Sequence, residues 1–287
     1  MGIVNVTPDS FFDGGQHASL AAALKHCEKL LADGAHVLDI GGESSRPGAL
    51  PLPLDEELAR VLPVIREAVT MGVPVSVDTY KPQVMQAALD LGADIVNDIW
   101  ALRQPGAAQL VARYPLCGVC LMHMHREPQT MQMEPMQGDV VPQVLSQLSQ
   151  WAQQLCALGV ARERIVIDPG IGFGKTVAQN FTLLARQREL LAAGYPVLAG
   201  WSRKSSLAMA TSMSLSSLAT LDVQSRMVPS VAAALLAVER GAGIVRVHDV
   251  RETVQAVQVW QAMQAADRGQ AISAIPSGAA ATGGTRT

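Results

Sequence analysis

The sequence predicts an α/β fold, specifically a single-domain (β/α)8 TIM barrel, on three observations. Eight short β-branched or apolar runs alternate with longer stretches of helical period. The eight strand–helix units fill roughly 265 residues, which is the length such a barrel needs. No Gly-rich turn follows the first strand, and that turn is the usual mark of the rival doubly wound open sheet.

The strands are placed at Gly2–Val6, His36–Ile40, Val73–Val77, Asp94–Asn97, Cys117–Met122, Arg164–Ile167, Pro196–Gly200 and Gly243–Val247. Ser19 is the expected cap of the first helix, whose apolar residues include Leu20, Leu24, Cys27, Leu30 and Leu31, and Gly34 stands where a closing glycine belongs. Pro82 opens the third helix, as proline does in a first turn. After Asp139, Val141, Val144, Leu148, Trp151 and Leu155 recur at threes and fours until Gly159. Ser206–Asp222, rich in Ser, Met and Ala, is expected to be a long loop or irregular helix after strand seven. The domain is assigned to residues 1–266, and the small, polar tail at 267–287 is expected to be disordered.

Composition narrows the function. Half the chain (49%) is hydrophobic and 16% charged, too little charge for a disordered chain and enough apolar surface for a large core. Lys and Arg number 22 against 25 Asp and Glu, a net charge of −3 that gives no field for nucleic acid. No run of eighteen apolar residues is free of charge or turn, so no membrane span is expected. The opening MGIVNVTPDS lacks a basic segment and a long apolar one, so no secretory signal is expected. Four cysteines do not make a disulfide scaffold, and Cys117 and Cys120 fall on opposite faces of a strand, which argues against a shared metal. A cytoplasmic, reduced protein is the expectation.

Catalysis in such a barrel takes place at the C-terminal ends of its strands. Nearly every one of those ends carries polar groups that packing does not require: Asn5; Glu43 with Ser44, Ser45 and Arg46; Asp78; Asn97 and Asp98; Met122 with His123; Asp168; Ser202, Arg203, Lys204 and Ser205; Arg246 and His248. Any one could be a helix cap or a satisfied loop group, but eight coincidences on one rim read as a site. Cations at Arg46, Arg203–Lys204 and Arg246–His248 suit a substrate carrying phosphate or carboxylate. Asp78 and Asp168, isolated acids at strand ends, suit an N–H-rich ring, since a carboxylate accepts two parallel hydrogen bonds from an amidine-like edge. A nitrogen heterocycle with an anionic leaving group answers both.

Other signals are discounted. Gly174–Lys175–Thr176 ends like a Walker A loop, but Pro169 stands where its first glycine is required. Gly170, Gly172 and Gly174 are read instead as letting the loop pass close to a ligand. His123 and His125 have no third ligand at suitable spacing and are read as loop residues. His17, His26 and His36 are read as surface residues.

The strings on this rim carry a family resemblance. GIVNVTPDSF (Gly2–Phe11), GGESSRPGA (Gly41–Ala49), SVDTYKP (Ser76–Pro82), NDIW (Asn97–Trp100), LMHM (Leu121–Met124), DPGIGFGK (Asp168–Lys175), SRKS (Ser202–Ser205) and VRVHD (Val245–Asp249) occur in the order found in bacterial dihydropteroate synthases. The chain closely resembles that family from residue 2 to about residue 265. The resemblance implies condensation of (7,8-dihydropterin-6-yl)methyl diphosphate with 4-aminobenzoate, in a dimer. It implies that Asn5 holds Mg²⁺ on the diphosphate, with Ser45, Arg246 and His248 binding the diphosphate as well. Asp78, Asn97, Met122, Asp168 and Lys204 would form the pterin pocket. Phe11, Arg46, Pro47, Phe173, Lys204 and Ser205 would surround 4-aminobenzoate, and Asp78, Asp168, Lys204, Arg246 and His248 would carry the chemistry.

Departures from the family's usual pattern gather near the aminobenzoate side. Ser45 replaces Thr, Phe12 replaces Ser beside Phe11, and Trp201 stands where Met is frequent. Ser206 and Ala208 replace a bulky apolar residue and Gly, and the sequence opens at the first strand, without the short extension that usually precedes it. Together they raise the expectation of a sulfonamide-insensitive form. Two other readings compete: another pterin-binding barrel, such as a methyltetrahydrofolate methyltransferase, and a non-catalytic pterin binder. Neither has use for the SRKS segment or for an Asn loop holding Mg²⁺ and diphosphate.

Overall fold

The computed structural model describes residues 1–6, 15–44, 48–127, 130–131, 133–212 and 224–269. Its strands are β1 (Gly2–Asn5), β2 (Leu38–Gly41), β3 (Val75–Asp78), β4 (Ile95–Asp98), β5 (Gly118–Met122), β6 (Ile165–Asp168), β7 (Val197–Ala199) and β8 (Ala242–Val245). Each lies within a residue or two of its expected position. They pair in parallel in sequence order, with Gly2 opposite Leu38, Leu38 opposite Val75 and so on around the sheet. A parallel bridge between Gly2 and Val247 and the hydrogen bond from Ile3 N–H to Val247 O (3.0 Å) close the circle. The sheet is a (β/α)8 barrel.

The helices are α1 (Gly15–Ala32), α2 (Leu54–Ala68), α3 (Pro82–Asp90), α4 (Ala107–Ala112), α5 (Val140–Ala157), α6 (Val177–Ala185), α7 (Ser205–Ser212), α8 (Met227–Glu239) and α9 (Val250–Asp267). Two of them, α7 and α8, follow β7. The segment expected to be a loop or irregular helix therefore begins as a regular helix, and the rest of it, 213–223, lies outside the described residues. The domain's last helix ends at Asp267, and the expected tail lies outside the described residues from position 270.

Local chemistry explains several helix ends. Pro82 is the first residue of α3, and the Asp139 carboxylate accepts from Val141 N–H (3.1 Å) to cap α5. Gly34, at φ +97°, turns the chain out of α1. The Ser19 expectation fails because α1 already starts at Gly15. Thr176 caps α6 reciprocally with Gln179: the hydroxyl accepts from Gln179 backbone N–H (3.2 Å) and the Gln179 side-chain Oε1 accepts from Thr176 backbone N–H (2.9 Å). The apparent end of a Walker A loop is a helix cap. The core runs continuously through the barrel and its inner helix faces, and a smaller cluster of Ile99, Met122, Met124, Met131 and Phe173 lies apart from it.

Candidate active site

Asp39, Asp78 and Arg246 form a charged network at the barrel mouth. Arg246 donates from Nε to Asp39 Oδ2 (2.5 Å) and from Nη2 to Asp78 Oδ2 (2.6 Å), so one guanidinium bridges two strands. Asn97 Nδ2 lies 3.3 and 3.4 Å from the Asp39 oxygens and extends the network to β4. Asp39 is fully buried. Burial pushes the Asp78 carboxyl up to about 7; the Arg246 charge opposes that shift and Asp39 adds to it. Burial also works against the Arg246 cation, but the two carboxylates outweigh it and raise its pKa. Asp78 is therefore not an isolated acid, and Arg246 is not a free cation. Among the described residues, Arg246 Nη1 has no hydrogen-bond partner.

Sequence reasoning missed Asp39. The available signal was an acid inside the apolar run VLDI, where only a paired carboxylate survives burial. Next to it, Asp98 accepts from Trp100 N–H (2.7 Å) and Leu102 N–H (2.8 Å), holding a turn in which Ala101 and Leu102 have φ +52° and +57°. Burial nonetheless pushes its carboxyl up to about 7. A cavity of about 240 Å³ opens beside Asp78, lined among others by Glu43, Tyr80, Ile99, Trp100 and Gln104. The Tyr80 and Trp100 rings stack there at 5.5 Å.

Asp168, Phe173 and Lys204 stand across the mouth. Asp168, buried at the end of β6, accepts from Gly170 N–H (2.7 Å) through Oδ1. Burial raises its pKa against the pull of that N–H and of the Lys204, Lys175 and Arg246 charges. Lys204 Nζ sits 4.3 Å from the centre of the Phe173 ring. Burial lowers its pKa to about 8, with Asp168 opposing the shift. Met122 and Phe173 belong to one apolar cluster, which also includes Met124 and Met131.

Contacts with the end of β5 shape the β6–α6 loop. A Cβ on Gly170 (φ +67°) would lie 1.8 Å from His123 O, and one on Gly174 (φ +70°) would lie 2.6 Å from His125 Cβ. These two glycines therefore let the loop cross the end of β5. Lys175, buried below the loop, donates to Gly170 O (2.9 Å), Phe173 O (3.0 Å) and His123 O (3.3 Å), and its Nζ lies 3.0 Å from His123 Nδ1. Burial lowers the Lys175 pKa to about 7 and the His123 pKa to about 2. A neutral His123 accepts at Nδ1 and donates from Nε2 to Gln147 Oε1 (3.2 Å). His123 is thus a buried anchor of this loop. His26 also departs from a plain surface role: it is half-buried in α1, 3.2 Å from Ile3 O.

The remaining residues are placed unevenly. Asn5 is half-buried at the end of β1. His248 Nδ1 lies 2.9 Å from Ser202 Oγ, which also accepts from His248 N–H (3.1 Å). Ser205 is exposed at the start of α7. Arg203 turns to Asp249 (2.7 Å) and so does not join the cations of the mouth. Phe11, Phe12, Ser45, Arg46 and Pro47 lie outside the described residues. Among those residues, no group of three or more His, Cys, Asp or Glu side chains could hold a metal. One amide oxygen, from Asn5, suits a Mg²⁺ that keeps most of its waters and rests on substrate phosphates.

Comparison with known proteins points the same way. Residues 1–248 match the family of pterin binding enzymes. The dihydropteroate synthase of Neisseria meningitidis serogroup C is 49% identical over 266 residues, 92% of each chain. That of Escherichia coli (strain K12) is 44% identical over 263 residues, 91% of this chain and 90% of its own. Among solved structures, the Xanthomonas albilineans dihydropteroate synthase with 4-aminobenzoic acid superposes with a TM-score of 0.85 at 49% identity, covering 92% of both chains. The Burkholderia cenocepacia enzyme complexed with 7,8-dihydropteroate gives 0.83 at 49% identity, covering 94% of this chain and 92% of that one.

Proposed function

The chain belongs to the dihydropteroate synthases among the pterin-binding enzymes, and we propose a division of labour around the mouth of its barrel. The reaction joins (7,8-dihydropterin-6-yl)methyl diphosphate to 4-aminobenzoate, releasing diphosphate and 7,8-dihydropteroate. The observation that carries the residue roles is the convergence of Asp39–Arg246–Asp78, Asn97, Asp168 and Lys204 on one end of the barrel.

The pterin lies among Asp78, Asn97, Met122, Asp168 and Lys204. Asp168 Oδ1 is engaged by Gly170, leaving Oδ2 for the ring N–H and exocyclic amine. Asn97 is oriented by Asp39. The diphosphate rests on His248, Ser45 and Arg246, whose Nη1 remains for it after the two carboxylates have taken Nε and Nη2. Asn5 is the residue that would hold Mg²⁺, and the metal would supply charge neutralisation for the leaving group. The bond from the pterin methylene to the diphosphate oxygen breaks and its electron pair leaves with diphosphate. Buried Asp78 and Asp168 stabilise the positive charge left on the pterin. The aniline nitrogen of 4-aminobenzoate, held between Phe173, Lys204, Ser205, Phe11, Arg46 and Pro47, supplies the pair for the new C–N bond and then loses a proton. No side-chain nucleophile takes part.

The 44–49% identity to dihydropteroate synthases favours this reading over the methyltransferase and the non-catalytic binder. No helix among the described residues is long and apolar enough to cross a membrane, in keeping with a cytoplasmic enzyme. A homodimer is the assembly proposed, and residues 1–266 its barrel domain.

The test is growth of a strain lacking dihydropteroate synthase, together with calorimetry on Asp168→Asn. The wild-type chain restores growth. The variant puts an amide donor against the pterin N–H groups, which costs about 1–3 kcal/mol and weakens pterin binding about tenfold or more. Unchanged affinity would remove Asp168 from the pocket.

A further inference from the structure

The turn carrying Lys204 is attached to α6 at both ends, through consecutive residues. Before the turn, the Trp201 indole, only 1% exposed, packs on Phe181 with ring centres 5.4 Å apart. After it, Ser206 Oγ accepts from Asn180 Nδ2 (2.9 Å), both side chains being buried. The same Asn180 reaches the other wall: its Oδ1 accepts from Gly172 N–H (2.9 Å), next to Phe173. The Lys204 stem lies over Gly172, where a Cβ would sit 3.5 Å from Lys204 Cδ. One buried amide thus spans the two loops that face each other as Phe173 and Lys204.

We propose that Asn180, through Ser206 and Gly172, sets the gap between the Phe173 loop and the Lys204–Ser205 turn, and so acts as a positioning residue for 4-aminobenzoate. This rests on the reading of Phe173, Lys204 and Ser205 as the wall of that subsite. The amide suits the task because its two ends differ. The Gly172 N–H can donate only to Oδ1, which commits Nδ2 to Ser206 and fixes the orientation of the whole link. Ser206 stands where the family usually carries a bulky apolar side chain, so the hydroxyl is this chain's own partner for Nδ2. With Ser206 truncated, a buried amide N–H loses its acceptor and α7 is free to shift against the loop. Of the pterin groups only Lys204 stands on this turn; Asp78, Asn97, Met122 and Asp168 stand on other strand ends and do not depend on this link.

Steady-state kinetics and pterin calorimetry on Ser206→Ala, Asn180→Ala and the double variant provide the test. The KM for 4-aminobenzoate rises about three- to tenfold in each, while kcat and pterin affinity, which the groups on other strand ends chiefly carry, stay within about twofold. The double variant is no worse than the worse single, because both remove one link. Ser206→Cys, whose thiol is a weak acceptor, gives the same split at smaller size and serves if Asn180→Ala does not fold. An unchanged KM, or kcat and pterin affinity falling in step with it, overturns the proposal. Lys204→Met separates the two readings. If Lys204→Met leaves the 4-aminobenzoate KM unchanged, the wall assignment falls. If Lys204→Met raises that KM while the Asn180 and Ser206 variants do not, the link alone falls.

Discussion

Two sides of the barrel mouth bury cations in opposite ways. Beside β2, β3 and β8, Arg246 sits between two carboxylates, and the charges cancel within one network. Beside β6, Lys175 is deeper still, yet its ammonium is held by three carbonyl oxygens and a neutral imidazole. In the proposed function the first arrangement presents polar groups to the substrate; Asp78 is held by Arg246 and Asn97 by Asp39. The second turns its cation away from the substrate, to pin the loop that carries Phe173. The difference teaches that a buried charge near a site is not by itself a catalytic group. Its partners decide whether it recognises a substrate or supports a scaffold.

The largest expected effect follows from removing the charge that two acids share. Arg246→Met leaves Asp39 and Asp78 buried together without compensation, and breaking such a network costs about 3–5 kcal/mol. Turnover is lost and the urea midpoint falls steeply. Adding Asp39→Asn and Asp78→Asn to Arg246→Met recovers most of the stability and none of the turnover. A triple variant as unstable as the single would mean that the acids are not what Arg246 compensates.

Lys175→Met is expected to be milder, about 1–3 kcal/mol for the carbonyls left unpaired, and to change the pH profile of stability. With a folded pKa of about 7, Lys175 has lost its proton above that pH, while the unfolded chain keeps it up to the ordinary lysine range. The unfolded state therefore binds more protons there, and this group makes stability rise as pH increases from about 7 toward 10. Asp78 acts with the opposite sign. Its raised pKa of about 7 lets the folded state hold a proton that the unfolded chain releases near pH 4, so its contribution is lost as pH climbs between those values. Denaturant titrations from pH 5 to 10 separate the two: Lys175→Met removes the alkaline rise and leaves the acid-side fall. If it destabilises more than Arg246→Met, the contrast between the two sides is wrong.

The strand ends were legible because their polar residues interrupt runs of Val, Ile and Leu, and a barrel puts all such ends on one rim. Asp39 escaped notice because it lies one turn of the pleat deeper, inside its apolar run. Lys175 and the 170–174 glycines were visible as a motif, but the sequence could not say that the loop passes over His123. Ser206 and Trp201 stood out only as departures from a family pattern. That they meet adjacent residues of α6 depends on how α6 packs against the turn after β7, a tertiary fact with no periodic signature.

That packing also bears on sulfonamides, the smallest effect expected here. A sulfonamide copies the ring and amine of 4-aminobenzoate but is bulkier where the substrate carries its carboxylate, so discrimination requires a narrower opening at that end. Trp201 and Ser206, two of the departures on this side, are committed to α6 and buried. The braced side of the mouth therefore gives the two ligands the same wall. Any discrimination is then expected from Phe12, which follows Phe11, and from Ser45, all outside the described residues. We expect Phe12→Ser, alone or with Ser45→Thr, to lower the sulfamethoxazole inhibition constant several-fold while the 4-aminobenzoate KM changes little. Ser206→Ala should instead weaken substrate and inhibitor together, because both use the wall it braces. Inhibition assays on the three variants decide the matter: if wild type is already as sensitive as Phe12→Ser, the first loop does not discriminate, and if Ser206→Ala affects only the inhibitor, the braced wall is not shared.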